Sequence, residues 1–187
     1  VRLVQFARKI MPSKPRIRLV KTIAESRLFR IEEMHLTFSN GVERVYERMV
    51  CEYPDSVIIA PFLDNDTLLM IREYSAAIED YELTLPKGLV DNGEDFLHAA
   101  NRELQEEIGY RAETLDYITP LTIAPGYVNH TSHVIRATGL SASKLPGDEP
   151  EALEIVPCKI SDISAIISRR DVTDARTIAT LYLVSNS

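Results

Sequence analysis

One amphipathic segment near the middle of the chain constrains the fold more than any other feature of the sequence. Between residues 97 and 108, the apolar side chains fall on one helical stripe, within about 60° of each other at 100° per residue; they are Leu97, Ala100, Leu104 and Ile108. Gly109 follows, and a glycine commonly stands just beyond the end of a helix. The segment therefore predicts a helix over residues 94–108 that buries one face against a core.

Glu103 and Glu107 stand four residues apart at the edge of this stripe, where a cleft between helix and sheet would begin. Like charges at this spacing destabilise an isolated helix by about 0.2–0.5 kcal/mol, and partial desolvation increases that cost. A hard divalent cation with oxygen ligands reverses the effect, and Mg²⁺ fits best because it binds a few carboxylates plus waters and phosphates. For the glutamates alone, a solvated acidic helix face is the better interpretation.

The rest of the chain reads mainly as strands. Residues 17–50 have a strand-like pattern with a turn at Ser39–Gly41, which predicts a small antiparallel unit. Residues 56–63 are a continuous apolar run typical of a buried strand, and residues 67–74 predict a partner strand, so we expect a hairpin. Later strands flank a turn at residues 124–126, and a helix ends the chain. Strands interleaved with two or three helices indicate an α/β or α+β architecture.

Length and composition limit the classes of protein that remain. The chain has 187 residues, 45% hydrophobic and 26% charged, which suits one globular domain, or one domain with a small addition. A net charge of -7 argues against nucleic-acid binding through a broad basic surface. No apolar run approaches the roughly 20 residues that span a bilayer, so we expect no membrane partner. Cys51 and Cys158 match no metal spacing, so we expect reduced thiols and a cytoplasmic enzyme.

The start of the chain is basic. The first 21 residues hold seven basic residues and no acidic one. We interpret residues 1–16 as a solvated basic tail, part of it an extension ahead of Met11, and the alternative is a targeting or anion-binding arm.

The helix belongs to a longer pattern, which reads G-x5-E-x7-R-E-U-x-E-E-x-G-U, where U is a bulky aliphatic residue. Its positions are filled by Gly88, Glu94, Arg102, Glu103, Leu104, Glu106, Glu107 and Gly109. Seven fixed residues match by chance about once in 10^8 start positions. On this pattern the chain resembles the Nudix hydrolases, with one departure at Tyr110, where an aliphatic residue is usual. Other stretches, such as "ELTLPKGLVDNGE" and "GDEPEALE", resemble the NudE-type branch and its relatives, the ADP-ribose pyrophosphatases.

The resemblance implies a fold, an assembly and a division of the chain. The expected fold is α/β, a Nudix α/β/α sandwich with a mixed sheet and a small N-terminal antiparallel β unit. We expect residues 17–54 to form that β unit, for dimerisation and substrate contacts, and residues 55–187 to form the hydrolase domain. The implied assembly is a homodimer whose N-terminal strands reach the partner subunit.

The resemblance also implies roles for named residues. Glu103 and Glu107 would bind the metal with Glu106 beside them, Arg102 would hold a glutamate in place, and the backbone carbonyl of Lys87 would supply another ligand. In the late acidic loop, Glu149 is the expected base and Glu151 a metal ligand, although a solvated loop is the alternative. The implied substrate-binding residues are Arg44, Arg48, Arg72 and Glu82. Arg44 and Arg48 fit exposed strand arginines equally well, and Ser75 stands where relatives often carry the arginine that Arg72 would replace.

The resemblance implies Mg²⁺-dependent hydrolysis of the pyrophosphate bond of a nucleoside diphosphate linked to another group, with Mn²⁺ as a possible substitute. Implied substrates are ADP-ribose and other ADP compounds, such as NADH and diadenosine polyphosphates, with release of AMP. The alternatives are a catalytically silent nucleotide-binding sensor and an enzyme acting on another nucleoside-diphosphate sugar or on capped RNA. The acidic chain gives the RNA alternative little support.

Overall fold

The computed structural model describes residues 13–185, so most of the predicted basic tail lies outside the described residues. The elements follow in chain order as β1 (Arg16–Glu25), β2 (Phe29–Thr37), β3 (Glu43–Cys51), β4 (Asp55–Pro61), β5 (Thr67–Ser75), β6 (Asp80–Thr84), β7 (Lys87–Leu89), α1 (Phe96–Glu103), a π-helical turn (Leu104–Ile108), β8 (Tyr110–Thr122), β9 (Thr131–Ala142), β10 (Glu154–Lys159), a 3₁₀ turn (Ile160–Asp162), α2 (Ile163–Ile167) and α3 (Ala175–Ser185).

The chain divides into two compact units. Within the described residues, the first comprises residues 13–52 together with Gly126–Val128, and the second comprises Tyr53–Pro125 and residues 129–185. In the first unit, β1, β2 and β3 form an antiparallel sheet with β2 in the centre. The predicted antiparallel β unit is therefore confirmed, with β1 as its first strand.

The second unit contains two sheets. A four-stranded mixed sheet has the order β7-β4-β9-β8, with β4 parallel to β9, and a three-stranded antiparallel sheet has the order β10-β5-β6. The predicted β4–β5 hairpin is wrong, because the two strands belong to different sheets and meet at the isolated bridge between Phe62 and Leu68. Both edges of β4 are occupied by other strands, β7 on one side and β9 on the other.

Alternate side chains of β4 face two separate cores. Val57 and Ile59 pack in a core with α1, while Ile58 and Ala60 pack in a core with α2 and α3. A strand with both faces covered needs an uninterrupted apolar run, which is the pattern of residues 56–63. The helices thus lie on both sides of the sheets, and the expected α/β/α sandwich is confirmed.

A buried histidine ties the start of α1 to the sheet. His133 of β9 is 7% exposed, and its ring stacks on Phe96 with a centroid separation of 3.7 Å. Its Nε2 lies 3.1 Å from Asp55 Oδ1, and its Nδ1 lies 2.9 Å from Tyr117 Oη. The backbone of Asp55 in turn accepts a hydrogen bond from Val90 N, 3.1 Å away. These contacts fix the chain that leads into α1.

The central helix differs from the sequence expectation at both ends. It begins at Phe96 rather than residue 94, because Asp95 is the N-cap and accepts hydrogen bonds from Leu97 N at 2.9 Å and His98 N at 3.3 Å. Its last five residues form the wider π-helical turn, which ends when Gly109 N donates to Leu104 O. Gly109 has φ 73°, as expected for a glycine just past a helix.

Candidate active site

Arg102 joins the loop before α1 to the acidic face of the helix. Its guanidinium donates to both Glu94 oxygens at 3.0 and 2.9 Å, to Glu103 at 2.7 Å and to Glu106 at 2.9 Å. It also donates to the carbonyl of Leu89 at 2.9 Å. The bidentate pair with Arg102 lowers the pKa of Glu94 to about 2. Glu94 also accepts from Asp91 N at 3.2 Å, so it anchors the loop as well as the arginine.

Glu103 and Glu107 are both buried, at 8% exposure each. Desolvation raises the pKa of Glu103 to about 7, although Arg102 opposes the shift. Desolvation also raises the pKa of Glu107 well above its ordinary value, while Lys87 opposes it and Glu103 adds to it. Among residues 13–185, no cationic side chain lies within 4 Å of the Glu107 carboxylate, which accepts a 3.1 Å hydrogen bond from Lys87 N. The protein therefore holds two carboxylates that lack full charge compensation.

Gly88 is required by the position of Glu103. A Cβ built on Gly88 would lie 2.0 Å from the Glu103 carboxyl carbon and 2.1 Å from one of its oxygens. Any side chain at residue 88 would therefore displace the carboxylate. The glycine lets the helix glutamate lie directly against the β7 backbone.

A cavity of about 540 Å³ brings the helix carboxylates and the late acidic loop together. It is lined by Lys87, Gly88, Leu89, Asp91, Arg102, Glu103, Glu106, Glu107, Pro146, Gly147, Asp148 and Glu149. Desolvation raises the pKa of Glu149, and the charges of Glu73 and Asp148 add to that shift. Six carboxylates around one cavity would repel each other strongly without cations.

Glu151 lies at the rim of this region. It accepts a 2.6 Å hydrogen bond from Tyr81 Oη, and it lines an adjoining hollow with Glu106, Glu107 and Glu149. Both glutamates are exposed, but only Glu149 lines the carboxylate cavity, and Glu151 lies beside it.

The donor set suits a hard divalent cation. In the part of the chain that the structure describes, no three Asp, Glu, His or Cys side chains already converge as a metal-binding group. Arg102 instead engages Glu103 and Glu106. The buried, incompletely compensated oxygens of Glu103 and Glu107 nevertheless fit Mg²⁺ or a similar ion, which prefers carboxylate oxygens and retains several waters.

Lys87 has a role that the sequence did not reveal. Its ammonium pairs with Glu73 of β5, and both side chains are largely buried. Its positive charge opposes the pKa rise of both Glu107 and Glu149. Lys87 therefore acts as an internal counterion of the carboxylate cavity, in addition to the backbone role expected for it. No sequence motif points to Glu73, because its contact with Lys87 forms only when the chain folds.

The remaining predicted substrate residues lie outside the carboxylate cavity. Arg72 donates to Glu154 at 2.8 Å and to Asp171 at 2.9 Å, so it joins β5 to β10 and to the loop before α3. Glu82 accepts from Ser75 Oγ at 2.6 Å and also from the Thr173 hydroxyl. These contacts give both residues structural partners, and their roles in substrate binding stay predictions.

Arg44 and Arg48 belong to the first unit. Arg48 donates from Nε and Nη2 to one oxygen of Glu32, at 2.9 and 2.8 Å. Arg44 is exposed and lines a cavity of about 500 Å³ with Leu19, His35 and Val45. Their roles in substrate binding also stay predictions.

Comparison with known families and structures agrees with this geometry. The NUDIX domain model matches residues 52–179, and the NudE-type Nudix hydrolase N-terminal domain model matches residues 15–48. The chain is 43% identical over 171 residues to the ADP compounds hydrolase NudE of Escherichia coli (strain K12), covering 91% of each chain. It is 30% identical over 166 residues to an ADP-ribose pyrophosphatase of Bacillus subtilis (strain 168), covering 84% of this chain and 88% of that one.

A solved structure is similar over nearly the whole chain. The crystal structure of an ADP compounds hydrolase matches with a TM-score of 0.86 and 42% identity, over 93% of this chain and 94% of that one. Its similarity covers both the antiparallel unit and the unit that holds the carboxylate cavity. The sequence pattern, the buried helix carboxylates and these matches agree. The chain belongs to the Nudix hydrolases.

Proposed function

We propose that this Nudix pyrophosphohydrolase cleaves the pyrophosphate bond of ADP-ribose and other ADP compounds and releases AMP. The observation that carries the proposal is the cavity in which Glu103, Glu107 and Glu149 meet. The names of the similar proteins, an ADP compounds hydrolase and an ADP-ribose pyrophosphatase, support the choice of substrate class. Among residues 13–185, no helix is long and apolar enough to cross a membrane.

Glu103 and Glu107 would hold Mg²⁺, with Glu106, Glu151 and the carbonyl of Lys87 as further candidate ligands. When bound, the metal neutralises the pyrophosphate oxygens and makes a coordinated water more acidic. Mn²⁺ would substitute, because it takes the same oxygen ligands.

Glu149 would accept the proton of the attacking water. Partial desolvation and neighbouring carboxylates raise its pKa, which makes its carboxylate a stronger base than an ordinary glutamate. A bond forms between the water oxygen and one phosphorus, while the bond from that phosphorus to the bridging oxygen breaks. With ADP-ribose the products are AMP and ribose 5-phosphate. Arg102 positions Glu103 and Glu106 for this step.

The test is a substrate panel with the purified full chain. ADP-ribose, NADH and a diadenosine polyphosphate are each incubated with Mg²⁺, with Mn²⁺ and with EDTA, and AMP is quantified. We expect AMP from at least one ADP compound with either metal and none with EDTA. Absence of AMP from all three substrates with folded, metal-supplied protein would refute the proposal. A sensor would bind ADP-ribose without releasing AMP.

We also propose a homodimer formed through the first unit. Its strands β1 and β3 expose large apolar side chains, including Ile17, Leu19 and Val45 at 55%, 49% and 56%. Exposed apolar area of this kind on a sheet is typical of a subunit interface.

A further inference from the structure

The loop that carries Glu149 contacts the C-terminal end of the catalytic helix. The last carbonyls of a helix receive no N–H donor from the helix itself and need donors from elsewhere. Leu145 N donates to Gln105 O at 3.1 Å, and Lys144 Nζ donates to Glu106 O at 2.5 Å. Just beyond the turn, Ser143 N donates to Gly109 O at 2.9 Å. Lys144 and Leu145 thus cap carbonyls of the helical turn, and Ser143 anchors the loop just beyond it.

Two side chains strengthen this contact. Ser143 Oγ donates to Gln105 Oε1 at 2.9 Å, and Gln105 in turn donates to Asn101 O at 2.8 Å. The ammonium of Lys144 places a positive charge at the helix C-terminus, where the helix dipole favours it.

Gly147 brings the loop backbone against the same turn. A Cβ at residue 147 would lie 3.2 Å from Glu106 O and 3.6 Å from the Glu106 carbonyl carbon. A side chain there would push either the loop or the π-helical turn outward. Asp148 and Glu149 follow directly and line the cavity with Glu103.

We propose that residues 143–147 are a tertiary cap of the catalytic helix, and that Lys144 and Gly147 are positioning residues that set Glu149 against Glu103 and Glu107. This inference rests on the proposed function for its catalytic consequence, and the cap itself can be measured without substrate. Because the capped carbonyl of Glu106 lies next to Glu107, one contact fixes both the base and the metal carboxylates.

The first test removes the ammonium of Lys144. Lys144→Met keeps the aliphatic stem and loses the hydrogen bond to Glu106 O. We expect amide hydrogen exchange in residues 143–149 to rise about fivefold, which corresponds to one hydrogen bond. We expect kcat for ADP-ribose to fall by a similar factor while KM stays within about twofold. Lys159→Met, which removes a lysine bonded to Thr67 on β5, is the matched control and leaves both quantities unchanged.

The second test adds a methyl group. Gly147→Ala should also lower kcat without raising KM, and it should accelerate exchange in the loop, because the methyl group crowds Glu106 O. Gly126→Ala is the control, since a Cβ there meets no atom within 4 Å.

The outcomes separate the two proposals. Unchanged loop exchange in Lys144→Met would overturn the cap, and faster exchange with unchanged kcat would overturn its positioning role. A rise in KM with constant kcat would also overturn the positioning role, because it indicates weakened substrate binding instead. If the parent protein hydrolyses no ADP compound while the exchange result holds, the proposed substrate class fails and the cap stands.

Discussion

At the scale of single residues, the charge of Glu107 destabilises the metal-free fold. The carboxylate is buried and its pKa lies well above the ordinary value. The charged form is the one that would bind Mg²⁺, so a glutamate at this position lowers the free energy of unfolding of the metal-free protein but allows metal binding.

Glu107→Gln tests whether the buried charge lowers stability and is needed for activity. The amide keeps the volume and removes the buried charge, so we expect the melting temperature in EDTA at pH 8 to stay equal or rise. We expect kcat to fall by about 10^3-fold or more, since a metal ligand is lost. Glu113→Gln, on an exposed residue of β8, is the control and should retain activity. Activity equal to that of the parent protein would show that Glu107 holds no metal.

Glu103 predicts a pH dependence. Its folded pKa is about 7, against an ordinary value of 4.5. The unfolded chain loses this proton near pH 4.5, while the folded protein keeps it until about pH 7. The stability that the protonated group contributes is therefore complete below pH 4.5 and is lost as pH rises to about 7, by about 3 kcal/mol.

The measurement is urea unfolding in EDTA across pH 4.5 to 8, for the parent protein and for Glu103→Gln. The difference between the two free energies of unfolding isolates Glu103 from other titrating groups. We expect the parent protein to lose stability relative to the variant as pH rises, and saturating Mg²⁺ in place of EDTA to reduce that loss. A difference that is constant with pH would contradict the assigned shift.

At the scale of elements, the site depends on how α3 holds the end of β6. Asp174 Oδ2 accepts from Thr177 N at 3.2 Å and from Thr177 Oγ1 at 2.9 Å. The Thr177 hydroxyl lies 2.7 Å from Thr84 Oγ1 and accepts from Leu85 N at 3.2 Å. This chain of hydrogen bonds fixes the backbone two residues before Lys87.

Asp174→Ala removes that cap. We expect a loss of about 1–2 kcal/mol in the free energy of unfolding, as for other helix N-caps. Asp162→Ala is the matched control, because Asp162 precedes α2 without a side-chain capping bond. Equal losses in the two variants by urea unfolding would show that the α3 cap has no special weight.

At the scale of the whole molecule, the first unit decides the assembly that we propose. Val45 lies on β3 at 56% exposure, and His35 of β2 pairs with it and with Leu19 of β1. Val45→Glu would place a charge on the sheet face where Leu19 and Val45 are exposed. We expect the parent chain to sediment as a dimer and the variant as a monomer at the same concentration. Glu47→Gln on the same strand is the control. A monomeric parent chain would refute the proposed dimer.

Some features of this protein follow from local sequence alone. The stripe Leu97–Ile108 and the glutamates beside it depend on helical periodicity, so the sequence located the buried face and its carboxylates. The uninterrupted apolar run of β4 likewise predicted a strand with both faces covered. Asp95 and Gly109 act through backbone geometry within a few residues, which is also readable along the chain.

Tertiary structure decided the features that depend on distant residues. β4 pairs with β7 and β9, whereas β5, which follows β4 in the chain, lies in another sheet. Backbone hydrogen bonding between strands does not depend on their order in the chain, so the sequence did not reveal these partners. The pair of Lys87 with Glu73 joins strands separated by β6, and no periodicity signals it. No periodicity signals the hydrogen bond from Lys144 Nζ to Glu106 O either. The sequence determines which side chains are more stable when buried or when bound to a cation. Packing determines which distant backbone groups and charged side chains come into contact.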